Sequence, residues 1–123
     1  MRTLGVRKWA LTLFIVLPIV GVAAADTTGN WAIEVTYDNP RVSGGTINCA
    51  LKQEGRQLSG YCGDVVTLSG EVKGENVGFI MRSKDTPPWT TTFTGSVNEA
   101  GTVIAGTFRF TDQRGRFTAS KRS

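Results

Sequence analysis

Few side chains in this sequence of 123 residues can do chemistry, and the clearest are Cys49 and Cys62, its only two cysteines. They stand far apart in sequence, unlike the Cys-x-x-Cys pair typical of a reactive dithiol. A structural zinc site takes four ligands, mostly cysteine and histidine, and the sequence has no histidine and no third cysteine. We therefore expect a structural disulfide, with no metal site and no cofactor.

The same set of reactive side chains gives little support for acid–base catalysis. Without histidine, a general acid or base would have to be Asp64 or Asp85, acting with Tyr37. Nothing in their spacing brings these three groups together. An enzyme, such as a barrel isomerase or cyclase, is therefore the least favoured class of function, and we expect no catalytic residue.

The first 25 residues have the organisation of a secretory signal peptide. Three basic residues lie within the first eight positions, positions 9 to 22 are nearly all apolar, and small residues follow at Ala23–Ala25. The apolar run is shorter than the roughly 20 residues of a spanning helix, and Pro18 interrupts it. We expect cleavage of residues 1–25, no membrane span afterwards, and a periplasmic or secreted domain over residues 26–123. An oxidising compartment also suits a disulfide.

Cleavage changes the charge of the chain. The full sequence has 14 basic and 10 acidic residues, whereas residues 26–123 have 11 and 10, a net charge of +1. A nearly neutral domain gives no reason to expect nucleic acid as a partner. Residues 105–123 alone are nevertheless at +4. That excess predicts either attraction to an anionic partner or a solvated basic edge strand.

Residues 26–123 show the alternation of apolar and polar residues typical of β-strands, without helical periodicity. Turn residues separate eight such runs. We therefore predict an all-β fold, an eight-stranded antiparallel up-and-down barrel, since closure leaves no unpaired strand edge. The inward positions are Trp31, Ile33, Val35 and Tyr37; Ile47, Cys49 and Leu51; Leu58, Gly60 and Cys62; Val66, Leu68, Gly70 and Val72; Val77, Phe79 and Met81; Thr91, Phe93, Gly95 and Val97; Ile104, Gly106, Phe108 and Phe110; and Phe117 and Ala119.

The hairpin turns predict which residues face each other. A two-residue turn at Gly55 and Arg56, with glycine supplying the positive φ of a type II′ turn, places Cys49 opposite Cys62. That position is a non-hydrogen-bonded pair, where Cα atoms approach to about 4.5 Å, so we predict one cross-strand disulfide. The same turn and those at 74–75 and 98–101 place small residues against large ones, as a narrow barrel requires, in the pairs Gly60/Leu51, Gly70/Phe79, Gly95/Ile104 and Gly106/Phe93.

Several short segments suggest a family. The strings GNW (29–31), RQLSGYC (56–62), TLSGEV (67–72), VGF (77–79) and TTTFTGSV (90–97) resemble successive strands of the avidin-like and lipocalin-like small barrels of exported bacterial proteins. In avidins, biotin is held by an asparagine two residues after the first-strand tryptophan and by tryptophans on later strands. Here Ile33 takes the asparagine position, and the strand after Gly78 has no tryptophan. The resemblance implies the barrel but does not imply biotin binding.

The topology predicts one functional end. The short turns fall at one end of the barrel, and the longer loops, which contain proline, charged residues and Trp89, fall at the other, where such folds bind their partners. We call this end the mouth, and expect Ile47 in its lining with Lys84 and Asp85 on its loops. The predicted binding residues are Tyr37, Arg41, Asp64, Met81, Trp89, Phe110, Arg114 and Phe117.

Two kinds of binding partner are consistent with such a mouth. The first is a small, partly apolar molecule, which requires a cavity of a few hundred Å³. The second is an exported protein, such as a hydrolase that this domain inhibits. A filled barrel with a protruding loop over residues 85–89 favours the second.

Overall fold

The structure, a computed structural model, describes residues 26–123 and is built of eight antiparallel strands. Each strand pairs with the next in sequence, and β1 also pairs with β8, which closes the barrel. The predicted fold class is thereby confirmed. The strands are β1 (Gly29–Tyr37), β2 (Gly45–Glu54), β3 (Gln57–Cys62), β4 (Val66–Lys73), β5 (Asn76–Ser83), β6 (Thr90–Val97), β7 (Val103–Phe110) and β8 (Gln113–Lys121).

The predicted signal peptide, residues 1–25, lies outside the described residues. Within residues 26–123 there is no helix long and apolar enough to cross a membrane.

The interior of the barrel is filled by apolar side chains from every strand. Its centre is a group of phenylalanine rings. Phe93 stacks on Phe79 with ring centroids 4.7 Å apart, and it meets Phe117 edge-to-face at 5.1 Å. Such offset and edge-to-face contacts are the arrangements that aromatic rings prefer. The middle of the barrel is thus a packed core rather than a channel.

The first hairpin has the predicted register. Glu54 faces Gln57 across the turn, Gly55 has φ +63°, and Arg56 does not have positive φ, which is the type II′ pattern. The cysteines form the predicted disulfide, with Cα atoms 4.1 Å apart and both residues buried. The hairpin between β4 and β5 is also confirmed, since Gly70 faces Phe79.

The hairpin between β6 and β7 differs from the prediction by two residues. Gly95 faces Gly106 rather than Ile104, and Phe93 faces Phe108 rather than Gly106. The cause is the loop, because six residues (98–103) separate the paired Val97 and Ile104, whereas the predicted turn has four (98–101).

The side chain of Asn98 holds this longer loop. Its Oδ1 accepts hydrogen bonds from the backbone N–H groups of Thr102 (2.8 Å) and Val103 (3.1 Å). An asparagine side chain that binds nearby backbone groups competes with the strand ladder. Pairing therefore begins at Val97 on β6, as predicted, but two residues later than predicted on β7, at Ile104.

The residues before β1 cover the end of the barrel that carries the short turns. Thr27 is fully buried, and its backbone N–H and hydroxyl both donate to Oε1 of Gln53, at 2.9 and 2.8 Å. The indole N–H of Trp31 donates to the Thr27 carbonyl oxygen at 2.8 Å. This end is therefore sealed by a polar cap over a tryptophan, a feature that the alternation pattern did not predict.

Asp26 continues this cap at the surface. The backbone N–H of Thr28 donates to its carboxylate at 2.9 Å, and Lys121 Nζ donates to its carbonyl oxygen at 3.0 Å. The hydrogen bonds from Thr28, with a smaller contribution from the charge of Lys121, hold the pKa of Asp26 below its ordinary value.

Candidate functional site

The mouth is the end of the barrel opposite the polar cap. Four connections meet there, at residues 38–44, 63–65, 84–89 and 111–112. The connections at the capped end cover residues 55–56, 74–75 and 98–102. The strand order therefore places the loops at the two ends as the sequence predicted.

An apolar cavity of about 220 Å³ lies at the mouth, and we call it the mouth cavity. Met81, Phe93 and Phe108 are almost fully buried, and they form its floor. Tyr37, Trp89 and Phe110 are half-buried and form its rim. The lining is Val35, Tyr37, Ile47, Met81, Trp89, Thr91, Phe93, Phe108 and Phe110, which includes no charged residue.

Trp89 is held on the rim by the loop that precedes it. The Ser83 backbone N–H donates to the Trp89 carbonyl oxygen at 2.9 Å, which closes the loop over residues 84–89. The Trp89 indole N–H points back to Oδ2 of Asp85 at 3.3 Å, and the indole ring meets Phe110 edge-to-face at 5.7 Å. The indole is thus fixed on both its polar and its apolar side, as a preorganised contact for an apolar group.

Tyr37 forms the opposite part of the rim. Its ring meets Phe108 edge-to-face, with centroids 5.1 Å apart. It lies at the last position of β1, opposite Gly115 of β8, where the absence of a side chain lets β1 and the Phe108 ring approach closely. A Cβ built at Gly115 would lie 2.8 Å from the Tyr37 Cα and 2.9 Å from a ring carbon of Phe108.

The mouth cavity carries few groups that could perform a reaction. The hydroxyls of Tyr37 and Thr91 are the only side-chain oxygens of its lining. Asp85 contacts the cavity only through Trp89, and Asp64 lies elsewhere, in a shallow groove beside Tyr61 and Arg122. Among residues 26–123, no three acidic or cysteine side chains cluster in a way that could hold a metal ion.

The predicted binding residues separate into two groups. Tyr37, Met81, Trp89 and Phe110 line the mouth cavity. The other four lie outside the lining: Phe117 is buried deeper against Phe79 and Phe93, Arg41 is exposed on the 38–44 loop, Asp64 is on the 63–65 loop, and Arg114 is on the outer wall of β8. Strands of a closed barrel are tilted and staggered, so residues near the same loop end can lie at different depths and on different sides.

The lining also includes residues that the alternation pattern predicts only as inward core positions, namely Val35, Thr91, Phe93 and Phe108. All four are inward positions of the alternation pattern. That pattern identifies the face of each residue but not its depth in the barrel. Depth depends on the stagger between neighbouring strands, which the pattern leaves open.

Comparison of the chain with models of protein families, with curated proteins and with solved structures found no match.

Proposed function

We propose that this domain is an exported binding protein that holds one small, mostly apolar group in the mouth cavity, on a scaffold like that of the avidin-like and lipocalin-like barrels. The observation that carries the proposal is the ring of half-buried aromatic side chains around an uncharged cavity at the looped end. A buried disulfide in the barrel wall supports an exported location.

The size of the cavity limits the ligand. Ligand pockets for drug-sized molecules measure about 300–1,000 Å³, whereas an apolar cavity of about 150 Å³ accepts benzene. A volume of about 220 Å³ suits a single aromatic ring with a short substituent or a short aliphatic chain. Since Tyr37 and Thr91 add hydroxyls to the lining, a ring with one hydroxyl or carbonyl group is the best match.

A second candidate is a protein partner that inserts one apolar side chain into the mouth cavity, as an inhibitor of an exported hydrolase would. The observation that favours it is the exposure of residues 85–88, which directly precede Trp89 on the rim of the cavity. Because the middle of the barrel is packed, a ligand larger than the mouth cavity would remain partly outside, in contact with this loop.

Titration with p-cresol and with n-hexanol, followed by NMR spectra of backbone amides, tests the first candidate. We expect saturable shifts confined to residues around the mouth cavity. Trp89→Ala removes a rim contact and should weaken p-cresol binding by more than about 1 kcal/mol, as the loss of aromatic anchors does. Ile47→Trp should abolish binding by filling the cavity.

Tyr61→Ala is the matched control, because Tyr61 is an aromatic residue that is 62% exposed and lies outside the mouth lining. It should leave the affinity for both probes unchanged. Absence of saturable shifts in the parent protein, or equal losses in Trp89→Ala and Tyr61→Ala, would refute the small-molecule proposal.

The protein-partner candidate has its own test, which is inhibition of a panel of secreted proteases and glycosidases. Replacement of Pro87 and Pro88 by glycine should then reduce inhibition while leaving p-cresol binding intact. Inhibition that survives both this change and Trp89→Ala would exclude the mouth as the contact surface.

A further inference from the structure

The second surface of interest is the outer wall of β7 and β8, which carries three exposed arginines. Arg109 and Arg114 face each other directly across the two strands, and Arg116 is the next outward residue along β8. Like charges directly opposite each other on a sheet are destabilising. The arrangement therefore costs folding free energy and calls for an explanation other than stability.

The arginines are not explained by a role in preventing another sheet from pairing with this strand. A basic edge strand prevents sheets from adding to one another. Here β8 is paired with β7 on one side and with β1 on the other, so it is not an edge. The solvated edge strand considered for residues 105–123 is therefore wrong.

The three arginines line a groove rather than a flat surface. This outer-wall groove has a volume of about 620 Å³, and its floor includes three threonines of β6 and β7. Asp38 is its only acidic lining residue, which leaves the groove with a net charge of +2. Glu34 and Asp112 are the nearest acidic residues along β1 and in the β7–β8 turn.

The three arginines of the groove form no ion pair within residues 26–123. The ion pairs found in residues 26–123 join Lys52 to Glu54 and Lys73 to Glu71, on other strands. The guanidinium groups of Arg109, Arg114 and Arg116 are therefore available to an external anion. Guanidinium is suited to this, because its planar set of donors binds sulfate, phosphate or carboxylate in a bidentate manner.

We propose that the outer-wall groove binds an anionic polysaccharide, a flexible sugar chain that carries sulfate or carboxylate groups. The arginines would bind the acidic groups, and the threonine hydroxyls would bind sugar hydroxyls between them. The concave shape fits a single chain better than a flat bilayer. The only aromatic residue of the lining, Phe108, has its ring in the core, so the groove offers no surface on which nucleic-acid bases can stack.

The test uses a short heparin oligosaccharide as the probe, with binding measured by isothermal titration calorimetry at low salt. We expect saturable binding that weakens as salt rises, because screening shortens the reach of exposed charges. The double variant Arg114→Gln with Arg116→Gln should weaken binding by at least about tenfold, through loss of charge-assisted hydrogen bonds. Its melting temperature should not fall, since one like-charge contact is removed.

The matched control is Arg56→Gln with Lys73→Gln, which removes the same charge from exposed positions outside the groove lining. We expect its heparin affinity to remain close to that of the parent. Equal losses in the two double variants would show that net charge alone attracts heparin and would overturn the proposal. So would the absence of saturable binding, or equal displacement of heparin by uncharged dextran.

Two further probes test the class of partner. The first probe is oligothymidylate, and the second is vesicles of phosphatidylglycerol and phosphatidylcholine. If the protein binds either probe more tightly than it binds heparin, the polysaccharide proposal is also overturned. Trp89→Ala should not alter heparin binding, and the Arg114/Arg116 double variant should not alter p-cresol binding. The two proposed sites can therefore fail independently.

Discussion

The close approach of β4 and β5 at Gly70 leads to a prediction with a matched control on the neighbouring strand. A Cβ built at Gly70 collides with the carbonyl oxygen of Gly78 and lies 2.6 Å from both the Cα and the Cβ of Phe79. Carbon atoms are at their optimal separation at about 3.5–4.0 Å, so the two strands would have to move apart by roughly 1 Å. No change of side-chain rotamer relieves this contact, because the atoms are backbone or Cβ atoms.

Gly78 provides the comparison. It faces Glu71, the residue after Gly70, but a Cβ built there has its nearest neighbour, the Phe93 carbonyl oxygen, at 3.8 Å. Neither Gly70 nor Gly78 has positive φ, so alanine fits the backbone conformation of both. The two substitutions therefore differ in packing and not in backbone strain.

We expect Gly70→Ala to destabilise the domain by about 1–3 kcal/mol through overpacking, and Gly78→Ala to stabilise it by about 0.4–1 kcal/mol by reducing the entropy of the unfolded chain. For a domain of this size each kcal/mol corresponds to about 4–8 °C, so the two melting temperatures should differ by at least about 6 °C. Thermal unfolding followed by circular dichroism measures this difference. If Gly70→Ala melts together with Gly78→Ala or above it, the inward position and close packing of Gly70 are wrong. Gly70→Val should lower the melting temperature further than Gly70→Ala, because its side chain is larger.

Two further predictions concern the disulfide and the β6–β7 loop. Mass spectrometry under non-reducing conditions should find Cys49 and Cys62 in one internal bond, and replacing both by serine should cost about 3 kcal/mol for a loop of this length; free thiols or a bond between chains would contradict the fold. Asn98→Ala should cost about 1–2 kcal/mol by removing two hydrogen bonds to backbone N–H groups, and the Thr102 amide should exchange hydrogen faster. The comparison is Asn39→Ala, which removes a similar side-chain acceptor of a backbone N–H, that of Arg41 at 3.0 Å, from the 38–44 loop. If Thr102 exchanges in Asn98→Ala as it does in Asn39→Ala, the Asn98 side chain does not hold the loop.

At the hairpins, local turn chemistry determines part of the strand register. The glycine turns at 55–56 and 74–75 were predicted with their register, because a two-residue turn with positive φ at its first residue fixes which residues face each other. The register predicted for β6 and β7 is wrong, because the Asn98 side chain binds backbone N–H groups of the loop. Counting residues does not reveal whether an asparagine does so.

At the mouth, too, the sequence predicted some of the lining residues and not others. Tyr37, Met81, Trp89 and Phe110 were expected near the looped end and do line one cavity. Phe117 was expected with them, yet it is buried against the central rings. The alternation pattern contains the direction of each side chain but not the stagger of the strands, which sets its depth.

The sequence by itself determined the class of fold, the disulfide and the inward face of every strand, since these follow from local alternation, turn chemistry and short-range pairing. Only the tertiary structure decided which inward residues surround the mouth cavity and that Thr27 seals the opposite end. It also decided that the arginines of β7 and β8 line one groove on the outer wall. These features depend on the tilt and stagger of the strands around the closed barrel and on contacts between distant segments, which no local pattern encodes.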